Sequence, residues 1–317
     1  MMNKCLYCYQ PLLEGEIDFH TKCSKKFFGV NNPPTLSFGK KDLKVMAQQI
    51  IVKSIAVTGV QAKLSLDIEK IDSKHSRLTV VGLWGNYILK PPTEAYEQLP
   101  ENEDLTMKLA RLCGIKTAEH SLIRLESGEL AYLTKRFDRT KKEKRHVEDL
   151  CQLTETLTEH KYRSSMEKVG KTIKKFSSNA GFDIISFFEL SIFCFLTGNA
   201  DMHLKNFSLL HTQSGEIQFA PVYDLVSTKL VMPQDLEEMA LTVNGRKNRL
   251  KREDFDVLAS TLGINEKVKN NVYKRFSDKI IPMQTLIDES FLGEEMKETY
   301  KTLIQTKGER LDFLTKE

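Results

Sequence analysis

Apolar and polar side chains alternate with period two along the segment from residue 62 to residue 69. The apolar positions are Ala62, Leu64, Leu66 and Ile68, and the polar positions between them are Lys63, Ser65, Asp67 and Glu69. This alternation is typical of a β-strand with one buried face. A polar run at 72–74 predicts a turn, and short apolar segments at 78–81 and 87–90 predict two further strands.

The next periodic segment has the spacing of a helix. Leu105, Leu109 and Leu112 fall on one helical face. Asn102 is suited to cap the start of this helix, because its side chain can accept a hydrogen bond from a free backbone N–H. Gly114 is suited to end it, because glycine readily adopts the left-handed conformation found there.

Two more strands are predicted at 121–125 and 130–134, joined by a turn at Ser127-Gly128. The second half of the chain is mainly helical, with a short β-containing insert at 206–224 and several amphipathic helices after Pro233. This order predicts an α+β, two-lobed fold of the protein-kinase kind, with a β-rich N-lobe and a helical C-lobe. The predicted domains are a metal-binding segment at 1–30, the N-lobe at 31–140 and the C-lobe at 141–317.

The most apolar long stretch covers residues 182–200 and contains Asp183 and Glu189. Two acidic residues in so short a segment favour a buried core helix over a membrane span. The chain also opens without the apolar core of a signal peptide. These features predict a cytoplasmic protein with no membrane partner.

Composition and charge narrow the class of protein further. The 317 residues are 40% hydrophobic and 28% charged, which is ordinary globular composition and excludes a disordered or collagen-like chain. The formal net charge of +4 is too small to indicate nucleic-acid binding by itself. Tight direct binding to DNA is therefore not expected.

Three of the six cysteines lie near the N-terminus, beside a histidine. Cys5, Cys8, His20 and Cys23 have the spacing of a Cys₃His zinc knuckle. Three thiolates and one imidazole would complete a tetrahedral structural Zn²⁺ site, so we expect a structural cap on the N-lobe. The alternative is a cluster of reduced, partly buried cysteines without metal.

The strongest catalytic candidates follow the apolar stretch. Asp201 and Asn206 are five residues apart, which is the separation of the base and a Mg²⁺ ligand in the protein-kinase catalytic loop. Asp224 comes later, after a predicted hairpin, where a second Mg²⁺ ligand would be needed. Lys205 could neutralise a transferring phosphate. The alternative is that these polar residues only cap turns.

Two lysines in the first half of the chain could contact ATP. Lys90 ends the strand-like segment 87–90, and Glu103 near the start of the predicted helix could pair with it. Lys63 follows the loop at 58–62, whose single glycine could let backbone N–H groups approach phosphates. Each feature also has an ordinary explanation. Lys90 could be an edge lysine whose ammonium group is solvated, Glu103 could be an acid that stabilises the start of a helix, and the loop at 58–62 could be a simple turn.

Taken together, the motifs resemble those of the HipA family of bacterial toxin kinases. The matching segments run in order from about Ser54 to Gly245. They are GVQAKLSL (59–66), YILKPP (87–92), ENEDLTMKLARLCGI (101–115), KRFDR (135–139), VEDLCQL (147–153), GNADMHLKNFSLL (198–210) and APVYDLVST (220–228).

The resemblance implies an ATP- and Mg²⁺-dependent protein serine/threonine kinase. It implies that Asp201 and Lys205 are catalytic and that Asn206 and Asp224 bind Mg²⁺. It also implies ATP contacts from three parts of the N-lobe, carried by the loop residues Gly59, Val60 and Gln61, by Lys63 and Lys90, and by Lys135 and Phe137 near the adenine. The chain departs from the family pattern at Lys135, where an acidic residue is usual, and at Val147, where a glutamine is usual.

The family also carries a regulatory autophosphorylated serine just before the loop glycine. The usual position is Ala56 here, so Ser54 and Thr58 remain two open candidates. A phosphate there would add a charge of about −1.5 to −2 and would disfavour the ATP-competent loop.

The segment before the loop is shorter than in full-length family members and is similar to that of the HipT-type toxins. This resemblance implies a small HipS-like antitoxin and a HipB-like helix-turn-helix protein as partners. It implies an aminoacyl-tRNA synthetase as substrate, tryptophanyl-tRNA synthetase by analogy, and a role in persistence. Two other functions stay open at this point: an ATP-binding pseudokinase, and a zinc-dependent nucleic-acid-binding protein.

Overall fold

The structure is a computed structural model that describes residues 4–36, 38–39, 63–81, 84–140 and 143–314. The predicted loop residues Gly59, Val60 and Gln61 and both candidate phosphorylation sites, Ser54 and Thr58, lie outside the described residues. The chain divides into two compact units. The sheet unit comprises Met1–Asp104, Ala118–Phe137 and Glu289–Phe291, and the helical unit comprises Leu105–Thr117, Asp138–Asp288 and Leu292–Glu317.

The sheet unit is built on a five-stranded antiparallel sheet. Its strands are β1 (Leu64–Lys70), β2 (Ser76–Val80), β3 (Tyr87–Lys90), β4 (His120–Arg124) and β5 (Leu130–Lys135), arranged in the order β2-β1-β3-β5-β4. Leu64 pairs with Leu89, and Leu89 pairs with Leu133, so one buried apolar row crosses three neighbouring strands. The predicted strands are therefore confirmed.

The turn between β1 and β2 forms for a local reason. Oδ1 of Asp72 accepts hydrogen bonds from the backbone N–H groups of Lys74 and His75, both at 2.7 Å. An aspartate that bonds its own downstream backbone stabilises a tight turn. This turn directs β2 back along β1, with Lys70 opposite Ser76.

Helix α2 spans Leu99–Leu112 and begins earlier than the sequence pattern predicts. Asn102 donates its backbone N–H to the carbonyl of Gln98 at 2.9 Å and is fully buried, so it lies inside the helix. The prediction that Asn102 caps the helix is therefore wrong. The first turn of the helix tolerates Pro100, because the backbone N–H that proline lacks would have no helical partner at that position. The predicted end is confirmed, since Gly114 has a φ of +86°.

The helical unit is organised around one apolar helix. Helix α5 (Ala180–Leu196) is buried at every position from Phe187 to Leu196, as expected of a core helix. Its two acidic residues have partners: Asp183 accepts a hydrogen bond from the backbone of Phe219, and Glu189 pairs with Arg275. Among the described residues, no helix is long and apolar enough to cross a membrane.

Around α5 lie short helices, four C-terminal helices and a small sheet. The helices of this unit are α3 (Leu150–Leu153), α4 (Met166–Phe176), α6 (Thr228–Val231), α7 (Arg252–Leu262), α8 (Glu266–Ser277), α9 (Ile280–Glu289) and α10 (Glu294–Arg310). Helix α1 (Thr21–Phe28) belongs to the sheet unit. The sheet comprises β6 (Val147–Asp149), β7 (Ser208–His211) and β8 (Ile217–Phe219), in the order β6-β7-β8. The predicted insert is thus a hairpin, whereas the predicted C-terminal helices begin only at Arg252.

Candidate active site

The loop that follows α5 is held in a sharp turn by a glycine and by the hydroxyl of Thr228. Gly198 has a φ of +63°, and a Cβ added there would come within 2.9 Å of both Leu303 and Lys229. The hydroxyl of Thr228 accepts a hydrogen bond from the backbone N–H of Ala200 at 2.9 Å and donates one to the carbonyl of Gly198 at 3.0 Å. Glycine and Thr228 together fix where the next residue, Asp201, leaves the helix.

Asp201 and Asn206 belong to a single compact turn. The side-chain amide of Asn206 donates to the carbonyl of Asp201 at 3.1 Å, and Asn199 accepts a hydrogen bond from the backbone N–H of Asp201 at 3.0 Å. Because the side-chain nitrogen of Asn206 donates this hydrogen bond, its side-chain oxygen can serve as a metal ligand. An amide oxygen is a donor that suits a hard Mg²⁺ ion, so the residues present fit the predicted metal.

The carboxylate of Asp201 has a partner that the sequence does not indicate. The hydroxyl of Tyr162 donates to Oδ1 of Asp201 at 2.5 Å, although the two residues are far apart in the chain. Burial and the neighbouring Asp201 raise the pKa of Tyr162, so the phenol stays protonated and acts as a donor. No local sequence motif predicts this contact, because it arises only when the two distant segments pack together.

His203 lies beside the same carboxylate. Its ring meets that of Tyr162 edge to face, with centroids 5.0 Å apart, and burial lowers its pKa. The charges of both Asp201 and Asp224 oppose that shift, so both carboxylates are within electrostatic reach of the imidazole. Within the described part of the chain, Nδ1 of His203 and Nδ2 of Asn199 are buried without a hydrogen-bond partner. Such orphaned polar atoms fit a site that receives a polar ligand.

Asp224 is connected to the Asn206 turn through its neighbour. The hydroxyl of Tyr223 donates to the carbonyl of Lys205 at 3.0 Å and lies 2.6 Å from the hydroxyl of Ser208. Asp224 itself has a φ of +61°, an uncommon conformation for a residue with a side chain. Strained backbone of this kind is frequent at functional sites.

The ammonium group of Lys205 forms an ion pair with a carboxylate. Its Nζ lies 2.7 Å from Oδ2 of Asp149, while Oδ1 of Asp149 accepts the backbone N–H of Gln152 and caps helix α3. The side chain of Lys205 is 37% exposed, so its position is only partly constrained by burial. Asp149 is therefore a further residue of this region that the spacing argument does not identify.

The sheet unit contains the predicted ATP-contacting lysines. Nζ of Lys90 lies 2.5 Å from Oε1 of Glu103, and both residues are almost completely buried, at 4% and 3% exposed. The predicted pairing of these two residues is confirmed. Tyr132, the partner of Lys90 in the β3–β5 register, places its ring 5.5 Å from the same Nζ. A buried Lys–Glu pair of this kind is a required feature of active protein kinases.

The remaining predicted contacts of the sheet unit lie at strand ends. Lys63 is exposed immediately before β1, and Lys135 is exposed at the end of β5, where its N–H donates to the carbonyl of Glu119. Phe137 is half-buried just beyond β5. Asp201, Lys205, Asn206 and Asp224 belong to the helical unit, so the two units hold different parts of the predicted set.

The four N-terminal metal-ligand candidates do come together. One donor atom from each of Cys5, Cys8, His20 and Cys23 lies within 4.8 Å of the others. Nδ1 of His20 is 3.3 Å from the sulfur of Cys8 and 3.6 Å from that of Cys23. A tetrahedral zinc with usual bond lengths would separate such atoms by about 3.6 Å.

Two further observations bear on this cluster. Nε2 of His20 lies 2.9 Å from the carbonyl of Pro11, a contact that assigns the ring proton to Nε2 and leaves Nδ1 free to bind a metal. Burial, with added repulsion from Cys5, raises the pKa of the Cys23 thiol to about 12. A dication would therefore be needed to hold these sulfurs as thiolates. The donor set fits structural zinc.

The cluster is attached firmly to its own unit. The hydroxyl of Tyr87 in β3 donates to the carbonyl of Phe27 at 3.3 Å, and the two rings lie 5.8 Å apart. The hydroxyl of Tyr9 donates to the buried carboxylate of Asp104 at 2.7 Å. The segment thus packs as a cap on the sheet.

Comparison with known proteins places these features in a family. A profile of the HipA-like C-terminal domain matches residues 55–282. Y4dM of Sinorhizobium fredii, named as a candidate kinase, is 32% identical over 67% of this chain and 55% of its own length. A protein of Haemophilus influenzae, also named as a candidate kinase, is 26% identical over 99% of this chain and 98% of its own length.

The serine/threonine-protein kinase toxin HipA of Shewanella oneidensis is 29% identical over 58% of this chain and 45% of its own length. The chain thus spans about half the length of the Sinorhizobium and Shewanella relatives, but nearly all of the Haemophilus one.

Two solved structures share the fold. The Shewanella oneidensis HipA, determined with HipB and operator DNA, superposes with a TM-score of 0.67 at 23% identity, covering 81% of this chain and 65% of its own. The Helicobacter pylori proinflammatory kinase CtkA gives a TM-score of 0.52 at 19% identity, covering 72% of this chain and 88% of its own. These likenesses confirm the predicted kinase-like fold.

Proposed function

The chain belongs to the HipA-like C-terminal domain family, and on that basis we propose that it is an ATP-dependent protein serine/threonine kinase that acts as a toxin of a toxin–antitoxin system. The observation that carries the proposal is the compact turn in which the amide of Asn206 bonds the carbonyl of Asp201. This turn sets a carboxylate and an amide oxygen at the spacing of a kinase catalytic loop.

In the proposed reaction, a substrate hydroxyl oxygen attacks the γ-phosphorus of ATP, the bond to the β,γ-bridging oxygen breaks, and ADP leaves. Asp201 accepts the hydroxyl proton, and the hydrogen bond from Tyr162 to Oδ1 competes with the substrate hydroxyl for this carboxylate. Asn206 and Asp224 would hold Mg²⁺, which supplies charge neutralisation when bound. Lys90, oriented by Glu103, would contact the phosphates.

The other family-derived residues have supporting roles in the proposal. Lys63 and the loop residues Gly59, Val60 and Gln61 would cover the triphosphate, and Lys135 and Phe137 would lie near the adenine. Lys205 would neutralise the transferring phosphate after it leaves Asp149. Autophosphorylation at Ser54 or Thr58 would oppose ATP binding through repulsion between phosphates.

The proposed substrate is an aminoacyl-tRNA synthetase, and the proposed partners are HipB-like and HipS-like proteins. The HipB-like partner is supported by the Shewanella relative, a kinase toxin whose structure was solved in complex with HipB. The synthetase substrate and the HipS-like partner rest on the resemblance to the HipT-type toxins alone. Phosphoproteomics after induced expression of the wild type and of Asp201→Asn tests the substrate. We expect a synthetase phosphosite that appears only with the wild type, and its absence from both strains would remove this part of the proposal.

An ATP-binding pseudokinase is the second candidate, favoured by the partners that both catalytic side chains already have. Asp201 is engaged by Tyr162 and Lys205 by Asp149. Intact mass after incubation of dephosphorylated protein with Mg²⁺-ATP separates the two. A gain of one phosphate mass supports the kinase, and no gain together with retained ATP binding supports the pseudokinase.

We also propose a structural zinc ion bound by Cys5, Cys8, His20 and Cys23. The support is the close approach of their donor atoms and the contact between His20 and Pro11. With four protein ligands the ion would have no open position, so its role would be to stabilise the fold of the cap.

A further inference from the structure

Three metal-binding side chains outside the proposed kinase site lie together on the small sheet of the helical unit. His146 precedes β6, Glu148 lies in β6, and His211 ends β7. The strand register pairs Val147 with Leu210, and the N–H of His211 donates to the carbonyl of His146 at 2.9 Å. Alternation within β6 puts positions 146 and 148 on one face, and the pairing brings His211 to that same face.

The donor atoms are close enough to share one ion. Nε2 of His146 lies 3.2 Å from Oε2 of Glu148, and Nε2 of His211 lies 3.3 Å from the same oxygen. The two imidazole centroids are 4.6 Å apart. An ion bound at usual zinc–nitrogen and zinc–oxygen lengths would hold neighbouring ligand atoms about 3.4 Å apart. The side chains therefore need little movement to bind a metal.

We propose that His146, Glu148 and His211 form a binding site for a divalent transition-metal ion such as Zn²⁺. Two imidazole nitrogens select a borderline metal over Mg²⁺ or Ca²⁺, which prefer oxygen ligands. Three protein ligands leave at least one coordination position, and the side chains are 63%, 32% and 34% exposed, so water can fill it.

The arrangement differs from an ordinary surface ion pair. His75 and Asp72, at 2.8 Å, form such a pair from neighbouring residues of one turn. At the proposed site, by contrast, two histidines from two strands approach one carboxylate oxygen. This convergence of two nitrogens on one oxygen is the arrangement in which a single dication can bind all three side chains at once.

Metal at this site would also act on the proposed kinase region. Glu148 is followed in β6 by Asp149, whose carboxylate holds Lys205 at 2.7 Å. An ion that joins β6 to β7 would fix this part of the sheet and raise the melting temperature of the protein, since it binds only the folded state.

Equilibrium dialysis of the full-length protein against Zn²⁺, followed by metal analysis, tests the site without reference to kinase activity. The variants are His211→Ala and Glu148→Gln, with His75→Ala as the matched control. We expect the wild type and His75→Ala to bind one more ion per chain than His211→Ala, and Glu148→Gln to bind that ion at least about tenfold more weakly.

Two outcomes would overturn the proposal: equal zinc binding by the wild type and both site variants, or displacement of the extra ion by equimolar Mg²⁺. Glu148→Gln keeps the size and polarity of the side chain, so it decides the result even where His211→Ala fails to fold. The Cys23→Ser variant must retain this ion, because the N-terminal cluster is a separate site.

Discussion

Asp201 owes its position to contacts made by four residues of the helical unit, two of them in its own loop. Asn199 and Asn206 fix its backbone, Thr228 fixes the residue before it, and Tyr162 binds its carboxylate. A catalytic base must be held in place and yet be free to accept a proton. The backbone contacts meet the first need, and the phenol contact is the one that competes with a substrate hydroxyl for the carboxylate.

Tyr162→Phe removes that phenol contact and keeps the ring against His203. We expect kcat/KM for phosphate transfer to rise roughly three- to tenfold, since the phenol hydrogen bond competes with the substrate hydroxyl and an intramolecular hydrogen bond has a net worth of about 1 kcal/mol. Initial rates with Mg²⁺-ATP measure this, with Tyr96→Phe, a tyrosine of similar exposure, as the control. A slower variant would mean that Tyr162 assists the reaction.

The buried pair of Lys90 and Glu103 gives a stability prediction. Glu103→Ala takes away the carboxylate 2.5 Å from a buried ammonium and should lower the free energy of unfolding by about 3–5 kcal/mol. Arg77→Ala is the matched control, because its pair with Glu69 is about half exposed and solvent screening should make its loss far smaller. Urea denaturation measures both, and equal losses would contradict the account.

At the level of elements, the sequence predicts strands better than helix ends. The alternation around Leu64 and Leu66 predicts β1 because a one-residue slip would expose its whole apolar face. The sequence pattern misses the start of α2 because asparagine is a common helix-capping residue, so Asn102 is expected to begin the helix. The helix instead begins three residues earlier, at Leu99, and includes Pro100 in its first turn. In the same way, motif spacing finds Asp201 and Asn206, but the contact with Tyr162 depends on how distant segments pack.

The packing of α4 on its neighbours depends on a glycine. A Cβ at Gly170 would lie 2.5 Å from Leu262 and 3.0 Å from Phe187, so Gly170→Ala should cost about 1–3 kcal/mol of stability. Gly181→Ala in α5 is the control: nothing lies within 4 Å, and alanine should stabilise the helix by up to about 1 kcal/mol. Thermal melts distinguish the opposite signs, and two equal shifts would refute the packing argument.

The N-terminal cap makes a prediction about metal content. Cys23→Ser removes one of four ligands and should lower the zinc content by one ion per chain, with a fall in melting temperature, because structural zinc contributes folding energy. Cys151→Ser changes an equally buried thiol outside the cluster and should leave the zinc content unchanged. Elemental analysis of the purified proteins decides, and an unchanged zinc content in Cys23→Ser would exclude the proposed ligand set.

At the level of the whole molecule, each compact unit contributes a recognisable part of a kinase. The sheet unit has a buried Lys–Glu pair, and the helical unit has the carboxylate and amide turn. Phosphoryl transfer relies on positioning and charge more than on reactive groups, so a small set of residues is enough.

The most direct test of this account is phosphate incorporation from labelled Mg²⁺-ATP into dephosphorylated protein. Wild type, Asp201→Asn and the control Asp288→Asn, an exposed aspartate paired with Lys301, are compared at equal concentration. The account predicts labelling of the wild type and the control, and a loss of about 10²-fold or more in Asp201→Asn. Labelling of Asp201→Asn at the wild-type rate would contradict it.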